Sequence, residues 1–262
     1  STQGVSSAAS DVYKRQYMRS NALDMAACGS LFVDADTMKV RGIRNIQSNV
    51  ILEGALFESC FPQYYQVMRT HWAKMYRLDV IKKMNLSNCN IIPYGSDTLF
   101  VREALLMSNR VGIMPEALYR YYVYPEVRDY NVVKGRTNAP RVLLERDVSF
   151  LLQKCGSISS NTIEWLINVY LQENVDVFNL ILGKRDDSQQ KIEDIYSVLS
   201  STPCRMAMRL GARGKYTYLC DWLLHQSILE DEQIFNKCCE IFGIICAVPE
   251  KIPNGGNADY FR

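Results

Sequence analysis

The spacing of hydrophobic and polar residues divides the chain into a mixed first part and a helical second part. Leu23 to Val33 is almost entirely apolar, which is typical of a buried strand, and β-rich runs return at 111–114 and 117–123. Later apolar residues recur three and four apart, the spacing of one helical face. Five helical segments are predicted there: 141–154, 161–182, 188–200, 216–228 and 230–248. The pattern therefore predicts an α/β domain over residues 17–135 and an all-α domain over residues 136–250.

A turn followed by a helix lies in the middle of the α/β part. Pro93 to Gly95 give a turn signal, and Ser96 and Asp97 are residue types that cap helix N-termini. The apolar residues that follow predict a helix ending near Asn109. A carboxylate at a helix start is stabilised in its ionised form by free N–H groups, so Asp97 can serve as a general base. It can also be a helix cap with no other role, and the local pattern alone favours the cap.

Two further groups of side chains have both a structural and a functional interpretation. Trp72 and Tyr76 lie four residues apart, which places them on one face of a predicted helix, either as core aromatics or as walls of a binding site. Lys74 between them is either a solvated lysine or a partner for phosphate oxygens. Asp34 and Asp36 follow the first apolar strand, and two carboxylates so spaced can reach one hard cation. The alternative is a polar loop between two strands.

Composition and charge narrow the classes of function. The 262 residues carry a net charge of +2, so the chain shows no polyanion-binding signal and nucleic acid is not an expected partner. Nine cysteines without a CxxC pair predict reduced thiols, and only two histidines argue against a histidine-based metal site or triad. The sequence shows no transmembrane run and no signal-peptide pattern. We therefore expect a cytoplasmic protein, peripheral to the inner face of the membrane if it contacts one.

Three blocks of the sequence, taken in order, resemble a known family. The first is His-Trp-Ala-Lys-Met-Tyr-Arg at 71–77, the second is the Gly-Ser-Asp-Thr-Leu-Phe turn into a helix at 95–100, and the third is Leu-Tyr-Arg-Tyr-Tyr at 118–122. Over about residues 60–125 this order is similar to the second half of bacterial family 2 glycosyltransferases of the GT-A type. The resemblance implies a truncated, Rossmann-like GT-A half-domain over residues 17–135, whose nucleotide-binding half would lie upstream.

The resemblance also implies a reaction and its residues. Family 2 enzymes transfer a sugar from a nucleotide-sugar donor to a saccharide acceptor with inversion, so Asp97 becomes the expected general base. Trp72, Lys74 and Ser96 are expected to contact the acceptor, with Ser96 standing where the family has Glu. A divalent cation, Mg²⁺ or Mn²⁺, would neutralise the leaving diphosphate. Because the family's metal-binding aspartates precede its corresponding strand, the ligands are expected upstream, and residues 34–36 are interpreted as a polar loop.

The sequence also suggests the roles of the two terminal segments and alternative functions for the chain. Residues 1–16 are interpreted as a non-native leader or a disordered segment, and residues 251–262 as a flexible tail. The chain is expected to be an inactive fragment of an enzyme of polysaccharide biosynthesis, with the all-α domain available for oligomer contacts. The alternative is a non-enzymatic helical interaction or scaffold protein. A third function, a metal-dependent hydrolase using Asp34, Asp36 and Asp97, is disfavoured because no histidine supports those carboxylates.

Overall fold

The described part of the chain falls into two compact units. The computed structural model describes residues 2–89, 95–124, 136–183 and 197–198. The first unit contains, of these, residues 2–89, 95–124 and 145–162, and the second contains residues 136–144, 163–183 and 197–198. Every strand of the described residues belongs to the first unit, and the described residues of the second unit are helical.

The described residues form helices and strands in the following order. The helices are α1 (Thr2–Ser20), α2 (Leu56–Ser59), α3 (Phe61–Tyr64), α4 (Leu78–Lys83), α5 (Ser96–Met107), α6 (Ala139–Cys155) and α7 (Ser160–Gly183). The strands are β1 (Met25–Asp34), β2 (Val40–Arg44), β3 (Val50–Leu52), β4 (Lys74–Tyr76) and β5 (Val111–Val123). The predicted strands that became β1 and β5, and the predicted helices that became α5, α6 and α7, are confirmed.

The strands form one mixed sheet in which β1 is central. The order is β2-β1-β5-β3, and β4 pairs with β1 on the edge that β2 also uses. β1 and β5 run parallel, with Met25 opposite Val111 and Asp34 opposite Val123, whereas the other pairs are antiparallel. Because β1 is paired on both edges, its residues from Met25 to Ser30 are all buried. The described fold is therefore of the α/β class, with a mixed sheet.

Helix α1 packs on this sheet. Most of this helix lies in the stretch that is interpreted from the sequence as a leader outside the fold. Its buried residues Ser10, Lys14 and Met18 are spaced four apart and so lie on one helical face. Two of the three are polar, which is why the apolar pattern of the sequence gives no signal; Lys14 is satisfied by Asp11, 2.9 Å away. Residues 2–16 are therefore part of α1.

A glycine permits the close approach of α1 to the sheet. A Cβ at Gly112 of β5 would lie 2.4 Å from Leu23 Cδ1 and 2.6 Å from Tyr17 Cε1, so any side chain there would push the helix away. Met18, Leu23 and Ala26 form a buried cluster at this contact. The end of α1 and the start of β1 thus share one small core.

The second half of α6 belongs with the sheet unit. Asp147 accepts a hydrogen bond from Nε of the buried Arg102 on α5. Phe150 packs against Phe61, with ring centroids 6.2 Å apart. The chain enters the second unit before α6 and returns to the first from residue 145 to residue 162, so α6 is divided between the two units. Helical spacing identifies an apolar face but does not tell which core that face packs on.

The helices predicted in the second part of the chain are only partly within the described residues. In the second unit, Leu143, Leu166, Tyr170 and Leu171 of the predicted helical faces are buried, whereas Ile163 is exposed. The predicted helices at 216–228 and 230–248, the tail at 251–262 and most of the helix at 188–200 lie outside the described residues. Among the helices that are described, none is long and apolar enough to cross a membrane.

Candidate functional site

The start of α5 differs from the predicted cap. Gly95 is the N-cap residue, with a φ of 91°, in the left-handed region that glycine adopts readily. Ser96 and Asp97 are instead the first two residues of the helix, both half-buried, and no side chain caps the helix from the N-cap position. The interpretation of Asp97 as a cap is therefore corrected: the backbone turn occupies that position, and the carboxylate meets another partner.

That partner is His71, whose Nδ1 lies 2.9 Å from Asp97 Oδ1. The side chains of His71 and Asp97 are 56% and 42% exposed, so the pair is open to solvent. Phe100, three residues after Asp97 and on the same face of α5, contacts the imidazole with ring centroids 6.3 Å apart and planes at 71°. One helical face thus offers the imidazole both a carboxylate and an aromatic ring.

His71 is displayed by a loop whose backbone carbonyls are all hydrogen-bonded. We call residues 67–73 the His71 loop; it crosses from a 3₁₀ turn to β4. The donors are Lys74 Nζ to Val67, Thr70 and Trp72, Arg102 Nη1 to Met68, Thr98 Oγ1 to Arg69, the Tyr76 hydroxyl to His71, and the Cys28 N–H to Ala73. An unpaired carbonyl in such a partly buried segment would be unfavourable. The hydrogen bonds therefore fix the backbone of the loop from several directions.

Lys74 supports this loop through its ammonium group. Its ammonium donates to three carbonyls, at 2.7 Å to Val67, at 3.2 Å to Trp72, and to Thr70 as well. Burial lowers the pKa of Lys74 to about 7. Carbonyl acceptors oppose that shift because they satisfy the three N–H groups of the charged form. The expectation that Lys74 faces the acceptor is corrected, since all of its donors are engaged within the protein.

Tyr76 lies in β4, which pairs antiparallel with β1, and Trp72 lies in the bend just before that strand, so the two are not on a helix. Trp72 stacks on Tyr119 and Tyr121 of β5, with centroid distances of 4.9 and 5.2 Å, and remains half-buried. Tyr76 donates from its hydroxyl to the His71 carbonyl at 3.2 Å. Burial raises the pKa of Tyr76, so this hydroxyl keeps its proton as a donor.

Asp34 organises a turn, in agreement with the polar-loop interpretation. Its Oδ1 accepts the backbone N–H groups of Asp36 and Thr37 at 3.0 and 2.8 Å, and its Oδ2 pairs with Arg41. These hydrogen bonds, led by that of the Thr37 backbone, lower the pKa of Asp34 to about 2. The described residues contain no group of three side chains that fits a metal ion, and Asp34, Asp36 and Asp97 do not form one. Residues 34–36 therefore do not fit a cation site.

His71 is the member of the site that sequence reasoning missed. A chain with only two histidines gives no reason to centre a site on one of them. The available signal is position, because His71 begins the first of the three blocks and Asp97 lies in the second. Their contact arises when α5 packs beside the His71 loop, and no spacing in the sequence encodes that packing.

The sequence has no match among characterised families or proteins. No protein-family model matches the chain, and no curated protein matches it in sequence. The likeness of the three blocks to family 2 glycosyltransferases is therefore a resemblance only. The geometry around Asp97 is the further basis for a function.

Proposed function

We propose that this chain is the acceptor side of an inverting glycosyltransferase of family 2, GT-A type, which uses a nucleotide-sugar donor and a saccharide acceptor. The observation that carries the proposal is the contact between Asp97 and His71, a partly exposed carboxylate and imidazole on a rigid backbone. Both residues lie within the blocks that resemble the family. The parallel pairing of β1 with β5 is compatible with a GT-A half-domain over residues 17–135.

The chemistry required is an in-line displacement at the anomeric carbon of the donor. The acceptor hydroxyl loses its proton as its oxygen forms a bond to that carbon. The bond from the carbon to the diphosphate oxygen breaks, and its electron pair leaves with the nucleoside diphosphate. A base within hydrogen-bond reach of the hydroxyl lowers the barrier. Asp97 supplies the negative charge that drives this proton transfer, either directly or through His71.

The remaining side chains are assigned supporting roles. Trp72 follows His71 in the chain and exposes part of its ring, which would stack on the acceptor sugar. Ser96 precedes Asp97 on the first turn of α5 and would offer its hydroxyl to the acceptor. Lys74 acts indirectly, by holding the loop that carries His71 and Trp72. Donor binding, and the divalent cation that the family implies, are assigned to a part of the enzyme outside the described residues.

The test is release of nucleoside diphosphate from a panel of nucleotide sugars with saccharide acceptors. It is run on the 262-residue chain and on a longer product that includes the upstream reading frame. We expect release by the longer product only, lowered about 10²- to 10⁴-fold by Asp97→Asn. The matched control is Asp79→Asn, because Asp79 is also a surface carboxylate in an ion pair, 3.0 Å from Arg77.

Three results would count against the proposal. Equal activity of Asp97→Asn and Asp79→Asn would remove Asp97 from the reaction. Transfer by the 262-residue chain alone would overturn the assignment of donor binding to another part of the enzyme. Absence of release from every donor would overturn the transferase and favour the helical interaction protein.

A further inference from the structure

We propose that the atom that receives the acceptor proton is Nε2 of His71, and that Asp97 is the residue that positions the imidazole. This inference rests on the proposed function and deepens it by naming the accepting atom. It starts from the distance of 2.9 Å between His71 Nδ1 and Asp97 Oδ1. The carboxylate that resembles the family's base is thus already engaged with a second titratable group.

The contact decides which ring nitrogen carries the proton. An ionised carboxylate can only accept a hydrogen bond, so Nδ1 must be the N–H donor in this pair. In a neutral imidazole the other nitrogen is then an acceptor with a free lone pair. Asp97 therefore holds His71 in the tautomer whose Nε2 is able to take a proton.

Exposure favours the imidazole over the carboxylate as the group that meets the substrate. The His71 side chain is 56% exposed and that of Asp97 42%. Asp97 Oδ1 is taken up by Nδ1, while Phe100 borders the ring with a centroid distance of 6.3 Å. An acceptor hydroxyl that donates to Nε2 leaves the hydrogen bond between Nδ1 and Asp97 in place.

The backbone around His71 is held in a way that a surface histidine does not require. The Tyr76 hydroxyl bonds the His71 carbonyl, and Lys74 bonds the carbonyls on both sides of it, those of Thr70 and Trp72. The loop ends at Ala73, whose φ of 62° is a conformation that residues with a Cβ rarely adopt. A residue that accepts the proton during an in-line displacement needs such fixed placement, because small displacements of a catalytic group lower the rate strongly.

The step is balanced as follows. The acceptor O–H bond breaks, its proton goes to Nε2, and its electron pair forms the new bond to the anomeric carbon. The carbon–oxygen bond to the diphosphate breaks, and that electron pair leaves with the nucleoside diphosphate. The imidazolium formed on His71 is stabilised by the Asp97 carboxylate, which remains ionised. His71 returns the proton to solvent after the products leave.

The first test determines the tautomer by nitrogen NMR on the full chain. The chain has two histidines, so His225→Gln leaves His71 as the single imidazole in the spectrum. We expect the neutral ring to carry its proton on Nδ1. Asp97→Asn should lower that preference, because an amide can face the ring with either its oxygen or its NH₂ group. Asp79→Asn should leave the spectrum unchanged.

A neutral His71 protonated on Nε2, or a tautomer unaffected by Asp97→Asn, would overturn the inference without reference to activity. Both outcomes would show that the carboxylate does not orient the ring. The tautomer is a readout that a loop residue with a purely structural role would not control.

The second test compares variants in the release assay for the longer product. We expect His71→Gln to lower kcat about 10²- to 10⁴-fold, and Asp97→Asn to lower it no further than that. The double variant should be no slower than the slower single variant, since the two residues act as one unit. Activity of His71→Gln within about threefold of the unsubstituted enzyme, with Asp97→Asn inactive, would make Asp97 the direct base and overturn the inference.

The two tests separate failure of the inference from failure of the proposed function. An Nδ1–H tautomer with no transfer from any donor would overturn the transferase, and the proton transfer with it, while the oriented pair would stand. Transfer that depends on Asp97 but not on His71 would keep the transferase and overturn only the inference.

Discussion

Helix α5 carries two pairs of a carboxylate with a cationic or basic side chain, and the two lie in opposite environments. At its start, Asp97 meets His71 with 42% and 56% of the side chains exposed. Further along, Arg102 meets Asp147 with 5% and 2% exposed. The first pair is presented to solvent and the second is enclosed by the protein. The same helix therefore separates a group that can meet a substrate from a group that holds the helix in place.

The buried pair is surrounded by aromatic rings as well as by its partner. The Arg102 guanidinium carbon lies 5.3 Å from the ring centroids of Phe61 and Tyr65 and 6.0 Å from that of Phe150. Burial is the largest single influence and by itself lowers the pKa of Arg102, but the charge and hydrogen bond of Asp147, together with Tyr65 and Tyr64, outweigh it and raise that pKa. Arg102 also donates to the Met68 carbonyl of the His71 loop at 3.2 Å. The buried pair thus supports the loop on which the exposed pair depends.

The largest expected effect comes from breaking the buried pair. Asp147→Ala would leave the Arg102 charge enclosed and unpaired, so we expect the free energy of unfolding to fall by about 3–5 kcal/mol, measured by urea denaturation. The matched control is Arg102→Met with Asp147→Leu, which removes both charges and should recover most of the loss. A loss below about 1 kcal/mol for Asp147→Ala would show that water solvates the guanidinium, and the contrast between the pairs would disappear.

A smaller effect, and one that depends on pH, is expected at Asp34. The folded protein holds the pKa of Asp34 at about 2, below its ordinary value of 3.8. Its contribution to stability is therefore fully present above about pH 4 and is lost as the pH falls towards 2. Asp34→Asn should lower the melting temperature at pH 7, and the difference from the unsubstituted chain should shrink between pH 4 and pH 2.

Asp36→Asn is the matched control for that titration, because Asp36 is exposed and contributes its backbone N–H to the turn. It should change the melting temperature little at any pH. If the difference in melting temperature between Asp34→Asn and the unsubstituted chain stays constant down to pH 2, the assignment of the low pKa to Asp34 is contradicted.

The smallest effect on stability is expected at the exposed pair. Asp97→Asn and His71→Gln should each change the free energy of unfolding by less than about 1 kcal/mol, because solvent screens a pair this exposed. Urea denaturation of both variants beside Asp147→Ala measures the contrast directly. A loss comparable to that of Asp147→Ala would mean that the His71–Asp97 contact is structural, and loss of activity in these variants would then say nothing about the chemistry.

Local features of the fold were predictable where the sequence pattern and the backbone agree. The apolar run before Asp34 predicted β1, and the turn signal followed by apolar spacing predicted α5. The cap was not predictable in detail, because Gly95 and Ser96 are both common at helix starts and only the backbone angles decide between them. α1 was missed since two of the three buried side chains described in its second half, at positions 10–20, are polar.

The site could be predicted only in part. Asp97 was found because it lies in a motif, whereas His71 was found only when the structure showed the two side chains in contact. Lys74 was assigned to the acceptor from the family resemblance, and in the structure its ammonium donates to three carbonyls of the chain. The residue type states what a side chain can do, and its neighbours determine what it does.

The sequence by itself determined where the principal strands and helices form, because an apolar run and the apolar periodicity of a helix are properties of residues close in the chain. The tertiary structure alone decided that the imidazole of His71 meets Asp97, that Trp72 stacks on β5, and that half of α6 joins the sheet unit. These contacts join residues distant in sequence, and they depend on how elements pack and on which polar groups are left to be satisfied.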